Sequence, residues 1–187
     1  HKRGLVVHSM EGSLQAAIGE LDNPSRRASW TFSSPKIGPL IQHAPVGWHT
    51  WASGSVDANV WFTSCEHEGV AGEPLTQSQQ NNLVFLIRAL HDHGAWTGYQ
   101  RPISGIDRTA RLYEHRECTR FGSAPTACPS DRIPWLAILD RVLATDEESE
   151  MLQQRIEAAG IYQEMVSKLR LGITAPTTAR DQVRWLL

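Results

Sequence analysis

Residues 60–68, Val-Trp-Phe-Thr-Ser-Cys-Glu-His-Glu, and the stretch 76–93 shortly after them constrain the fold most. The first reads as a strand. Alternation with period two sets Ser64, Glu66 and Glu68 on one face and Cys65 and His67 on the other. The second changes period: Leu83, Leu86, Ile87 and Leu90 recur at helical spacing, Thr76 and Gln79 make a capping box, and Gly94 supplies the stop. A strand that hands over to an amphipathic helix after a short turn is a building unit of layered α/β structure.

The remaining segments extend that pattern. Residues 4–7 read as a short buried strand ending at His8, and residues 13–21 as a helix with Ser13 as N-cap and Asn23-Pro24 as stop. Residues 28–33 and 40–44 read as strands on either side of a Pro-Lys-Ile-Gly-Pro turn. Residues 97–111 are polar and loop-like, residues 111–115 can form a last strand, and residues 119–134, rich in Gly, Ser, Thr and Pro, put Cys128 on a loop. The expected architecture is α/β, with a mixed central sheet flanked by helices.

Beyond Trp135 the character changes. Residues 134–144 look helical, and Thr145 with Glu148 caps a second helix. Its stripe is Leu152, Ile156, Ala159, Tyr162, Val166 and Leu169, Gly172 stops it, and residues 177–187 form a short third helix. Residues 1–136 are therefore read as the main domain, and residues 137–187 as a helical C-terminal appendage or linker. The stripe spans too few heptads for a coiled coil, so a helix pair folded on itself or on the domain is expected, and with it a monomer.

Composition matters mainly for what it excludes. A formal net charge of −2 offers no polyanion-binding surface, which argues against nucleic acid as partner. No apolar run is long enough for a transmembrane helix. The start at His1 without a Met reads as processed, tagged or excised.

Three residues far apart in sequence carry chemistry together. His8 and His115 offer imidazoles, and Cys128 offers a thiolate. Two imidazoles and one thiolate suit Zn²⁺, with a fourth position left for water or substrate. Cys128 as a nucleophile with His115 as its base is a rival chemistry, but it leaves His8 without a role. If Cys128 holds metal, Cys65 and Cys118 remain as two free thiols or as a disulfide. Seven tryptophans are many for 187 residues, and Trp48 and Trp51 flank His49 in a way that suits the wall of a groove for sugar and peptide.

The motifs resemble a known family in their order as well as in their type. Val6-Val7-His8, Ser29-Trp30-Thr31-Phe32, Gln42-His43-Ala44-Pro45, Trp48-His49, Cys65-Glu66-His67-Glu68-Gly69, Pro74 to Gln79, Glu114-His115-Arg116-Glu117 and Cys128-Pro129-Ser130 follow one another as in the type 2 N-acetylmuramoyl-L-alanine amidases. This fold is shared with phage endolysins and peptidoglycan-recognition proteins, and the resemblance spans roughly residues 4–136. It implies Zn²⁺ held by His8, His115 and Cys128, with Glu66 as general base; alternation puts Glu68 on the same face, as the backup base and a candidate substrate-binding residue. It implies that His49 stabilises the oxyanion and that Trp48 and Trp51 line the substrate groove. The substrate implied is bacterial peptidoglycan, cut at the amide between N-acetylmuramic acid and L-alanine. The setting implied is the bacterial cell wall, reached by secretion or by release from a phage-infected host.

Two departures bear on activity. Trp30 and Thr31 stand where some phage members have a catalytic Tyr and an adjacent His, and an indole has no proton to transfer. Thr126 stands two residues before the third ligand, where many active members have Lys, and it offers a hydroxyl in place of a cation. The non-catalytic recognition proteins often share that feature, so a module that binds peptidoglycan without cutting it is the alternative reading.

Overall fold

The computed structural model describes residues 2–92, 94–96 and 111–144. The chain divides into two units, residues 1–142 and 143–187. The helices and apolar stripe expected over residues 145–187 lie outside the described residues, as does the loop expected over 97–110.

The five strands are β1 (Gly4–Ser9), β2 (Phe32–Ser34), β3 (Ile41–Gln42), β4 (Phe62–His67) and β5 (Leu112–Glu114). They form one sheet in the order β3-β2-β4-β1-β5. β1 runs parallel to β4 and β5, and β2 runs parallel to β4, while the short edge strand β3 is antiparallel to β2. The mixed sheet of an α/β fold is thus present. β4 is the middle strand, and β1 fills the interior place between β4 and β5, which suits a short segment with a β-branched Val6-Val7 pair that is buried along its whole length. β1 also lies very close to the start of the neighbouring strand. A Cβ on Gly4 would come within 2.0 Å of the Arg111 carbonyl oxygen, so only glycine fits there.

The helices are α1 (Leu14–Leu21), α2 (Val56–Trp61), α3 (Gln77–Asp92) and α4 (Trp135–Leu143). Alternation sorts the sheet into two faces. Leu5, Val7, Phe32 and Cys65 meet Leu83, Leu86, Ile87 and Leu90 of α3 and Ile138 and Val142 of α4 in the main core. Val6, Phe62 and Tyr113 meet Ala58 of α2 and Cys118, with Trp61 and Phe121 packed against them, in a smaller aromatic cluster. The caps lie where the sequence places them: Ser13 Oγ accepts the Ala16 amide, and Thr76 and Gln79 exchange backbone-to-side-chain bonds at 3.1 and 3.2 Å. Gly94, at φ 70°, follows α3 as its stop.

The start of the expected strand 60–68 is a correction. Val60 and Trp61 belong to helix α2, because Ser55 caps its N-terminus and Asp57 sits in its first turn. The strand itself begins at Phe62 and ends at His67. Among the described residues, no helix is long and apolar enough to cross a membrane.

Candidate functional site

The sheet register builds the site. β1 lies between β4 and β5, His8 is opposite Glu66, and Val7 is opposite Glu114, one residue before His115. His8, Glu66 and His115 therefore gather at the C-terminal ends of three parallel strands, where open α/β sheets place their ligands. By alternation His8 and Glu66 share the face of Val6 and Ser64, away from the α3 core. The rings of His8 and His115 are 4.5 Å apart between centroids.

Cys128 reaches the same point from a loop. His115 opens a short 3-10 helix, His115–Phe121, and the Arg116 amide donates to the Cys128 carbonyl at 2.8 Å. The Cys128 amide donates to Thr126 Oγ1 at 3.1 Å, and the Ser9 amide donates to Cys128 Sγ at 3.2 Å. Ligand atoms of His8, His115 and Cys128 consequently lie within 4.8 Å of one another.

The donor chemistry fits a zinc ion. His8 is buried, its Nε2 has no hydrogen-bond partner, and burial lowers its pKa well below the usual imidazole value, with His115 and His67 adding to the effect. Burial lowers the pKa of His115 too, against a hydrogen bond with the Ser53 backbone that acts the other way. Both rings are thus neutral, the form in which imidazole binds metal. A backbone bond to a ligating ring is also the usual way its orientation is fixed. Burial above all, opposed by the Ser9 amide and aided by the charges of Glu66, Glu11 and Glu114, raises the Cys128 thiol to about 12. A thiolate here needs a cation beside it.

Glu66 stands next to this cluster. Its Oε1 is 3.7 Å from His8 Nδ1, and its buried Oε2 has no hydrogen-bond partner. Burial first, and then the charge of Glu11, raise its pKa to about 8.

The other expected residues have other places. Glu68 lies past the end of β4, and its two carboxylate oxygens accept the backbone amides of Leu14 at 3.1 Å and Lys36 at 2.8 Å. Its carboxylate caps the start of α1 and braces the loop after β2, which departs from the substrate-side place expected from alternation. Thr126 turns its hydroxyl toward its own loop, as described. Trp48 and Trp51 are 65% and 60% exposed, and His49 is exposed between them. Trp30 is buried with its indole N–H donated to Ser33 Oγ at 2.8 Å. Cys65 and Cys118 are free and buried.

Two residues that hold the site together escaped the sequence reading. Gln79 is fully buried and its amide nitrogen donates to the Ser34 and Glu68 carbonyls at 3.1 and 2.8 Å, tying the ends of β2 and β4 to α3. Arg132 is 4% exposed and donates to Ser9 Oγ, to the carbonyls of His67 and Glu68, and to the Glu73 carbonyl. The capping-box position of Gln79 was legible, but its long-range bonds were not. Nothing local marks Arg132, four residues past Cys128.

No family model and no curated protein matches the chain. Solved structures do. The amidase LysC from Clostridium intestinale URNW superposes with a TM-score of 0.55 at 18% identity, over 77% of this chain and 87% of that one. AmpD superposes with a TM-score of 0.56 at 18% identity, over 77% of this chain and 86% of that one. AmpDh3 from Pseudomonas aeruginosa, solved with an anhydromuramic pentapeptide, gives a TM-score of 0.58 at 14% identity, over 97% of this chain and 78% of that one. The chain has the fold of the N-acetylmuramoyl-L-alanine amidases.

Proposed function

We propose that this protein is a zinc-dependent N-acetylmuramoyl-L-alanine amidase acting on bacterial peptidoglycan. The observation that carries the reading is the convergence of His8, His115 and Cys128 within 4.8 Å, beside the half-buried Glu66 with its solvent-shielded Oε2. The amidase fold of the superposed structures supports it, and so does the muropeptide bound in one of them.

His8, His115 and Cys128 hold the metal, and Zn²⁺ bound there supplies Lewis acidity toward the scissile carbonyl and the attacking water. Glu66 does the proton work. Its unpartnered Oε2 accepts a proton from the water and returns it to the departing L-alanine nitrogen. Its raised pKa makes it a competent acid for the second half of that task, and a dication beside it favours the charged form needed for the first. The exposed Trp48 and Trp51, with His49 between them, form the surface against which sugar and stem peptide lie. Cell-wall lysis by a phage endolysin, acting as a monomer, is the setting we favour.

A second reading, binding without cleavage, is supported by one observation. Thr126 brings no cation to the site, and its hydroxyl oxygen already accepts the Cys128 amide. Incubation with defined peptidoglycan separates the two: an amidase frees new N-terminal alanine, whereas a recognition module binds the wall and frees none.

A further inference from the structure

Arg132 carries a permanent charge into a site that is 4% exposed, and none of its four hydrogen-bond acceptors is a carboxylate. They are the Ser9 hydroxyl at 2.7 Å, the His67 carbonyl at 3.2 Å, the Glu68 carbonyl at 2.7 Å and the Glu73 carbonyl at 2.7 Å. Ser9 ends β1 directly after His8, and His67 ends β4 directly after Glu66. One planar guanidinium thus grips both strand ends that carry the site, from the loop that carries Cys128.

Two further features tie this grip to chemistry. The Ser9 amide donates to Cys128 Sγ at 3.2 Å, so the residue whose hydroxyl Arg132 holds is the residue that directs an N–H at the sulfur. Space is also kept for the guanidinium. A Cβ on Gly69 would lie 2.3 Å from Arg132 Nη2, so the glycine closing the Glu-His-Glu-Gly motif leaves room for this side chain.

We infer that Arg132 is a positioning residue for the metal centre, acting through Ser9 on the sulfur of Cys128. The inference rests on the metal reading proposed above. Arg132 is not a member of the His8, His115 and Cys128 cluster. It sets where the Ser9 N–H points, and an N–H aimed at a ligating sulfur tunes both affinity and ligand field.

The test uses the full chain, with Arg132→Lys, Ser9→Ala and the double variant. Zinc affinity is read by competition with a chelator, and the absorption spectrum is recorded after substitution with Co²⁺. Lysine keeps the charge but cannot reach all four acceptors, and Ser9→Ala removes only the hydroxyl while leaving its amide. Each single variant is expected to keep the fold by circular dichroism, weaken zinc binding by roughly 10-fold and shift the sulfur-to-cobalt absorption. The double variant should be little worse than Arg132→Lys, because both substitutions cut one chain of contacts. If Arg132→Lys does not fold, Ser9→Ala alone decides. Wild-type affinity and spectrum in the folded variants, with zinc binding still abolished in Cys128→Ser, overturn the positioning role and leave the metal site standing. A wild-type protein that binds no zinc overturns the metal reading, and this inference with it.

Discussion

His8 and Glu66 stand opposite each other on neighbouring parallel strands, with His8 Nδ1 3.7 Å from Glu66 Oε1. The register fixes this pair, so a candidate ligand and a candidate base are held together by the pairing of two neighbouring strands, β1 and β4. Glu66→Gln keeps the shape and removes the proton acceptor. It is expected to retain zinc and the folded structure while hydrolysis falls by about 10²-fold or more. Glu68→Gln should affect activity far less and stability more, since it weakens the bonds to the Leu14 and Lys36 amides. Rates of muropeptide cleavage and melting temperatures of the two variants check the contrast, and a reversed pattern would make Glu68 the base.

The metal centre is expected to hold about one zinc per chain. Elemental analysis of the purified protein and of Cys128→Ser is the check. Cys128→Ser should lose most of its zinc, because a serine hydroxyl does not replace a thiolate ligand, and equal zinc in both proteins removes Cys128 from the site.

His67 predicts a pH dependence in the metal-free protein. It is fully buried with Nδ1 3.2 Å from the His8 carbonyl, and burial above all lowers its pKa to about 4. An unfolded histidine titrates near 6.5, so between pH 6.5 and about 4 the unfolded chain takes a proton that the folded one refuses. Stability from this residue is complete above that window and declines as pH falls through it, by on the order of 3 kcal/mol. Denaturant titrations with chelator at pH 7 and pH 4.5 should show a smaller acid loss in His67→Gln than in wild type. An identical loss contradicts the assignment.

Gly69 sits at φ 121° against the Arg132 guanidinium. Gly69→Ala therefore meets backbone strain and a side-chain clash together, and is expected to cost about 2–4 kcal/mol. Denaturant unfolding of the variant measures it, and a loss under about 0.5 kcal/mol would show that the loop relaxes freely.

The exposed indoles of Trp48 and Trp51 should contribute to binding and little to folding. Each change to alanine is expected to weaken binding of a soluble muropeptide by about 1 kcal/mol, roughly fivefold, with the melting temperature unchanged. Binding unaffected by both would move the substrate groove elsewhere on the domain.

The sequence made the site more legible than its framework. Side-chain chemistry marks His8, His115 and Cys128, and motif order marks Glu66, so the cluster was readable before any strand was placed. Alternation correctly set Glu66 apart from Cys65 and His67, since that depends on local periodicity alone. It failed for Glu68, because β4 ends at His67 and the carboxylate turns to two loop amides distant in sequence. Val60 and Trp61 read as strand by β propensity, while the helix-starting signal was Ser55 and Asp57 just upstream. Arg132 was invisible for a different reason. Its partners at Ser9, His67, Glu68 and Glu73 are defined only once three segments converge.

Cleavage itself is the most direct test of the account. Purified protein is incubated with defined peptidoglycan, with and without chelator, and new N-terminal alanine is quantified. A zinc amidase releases alanine in a way that chelator stops, that added zinc restores, and that Glu66→Gln lacks even when loaded with metal. Zinc-loaded wild-type protein that binds peptidoglycan yet frees no alanine contradicts the amidase reading.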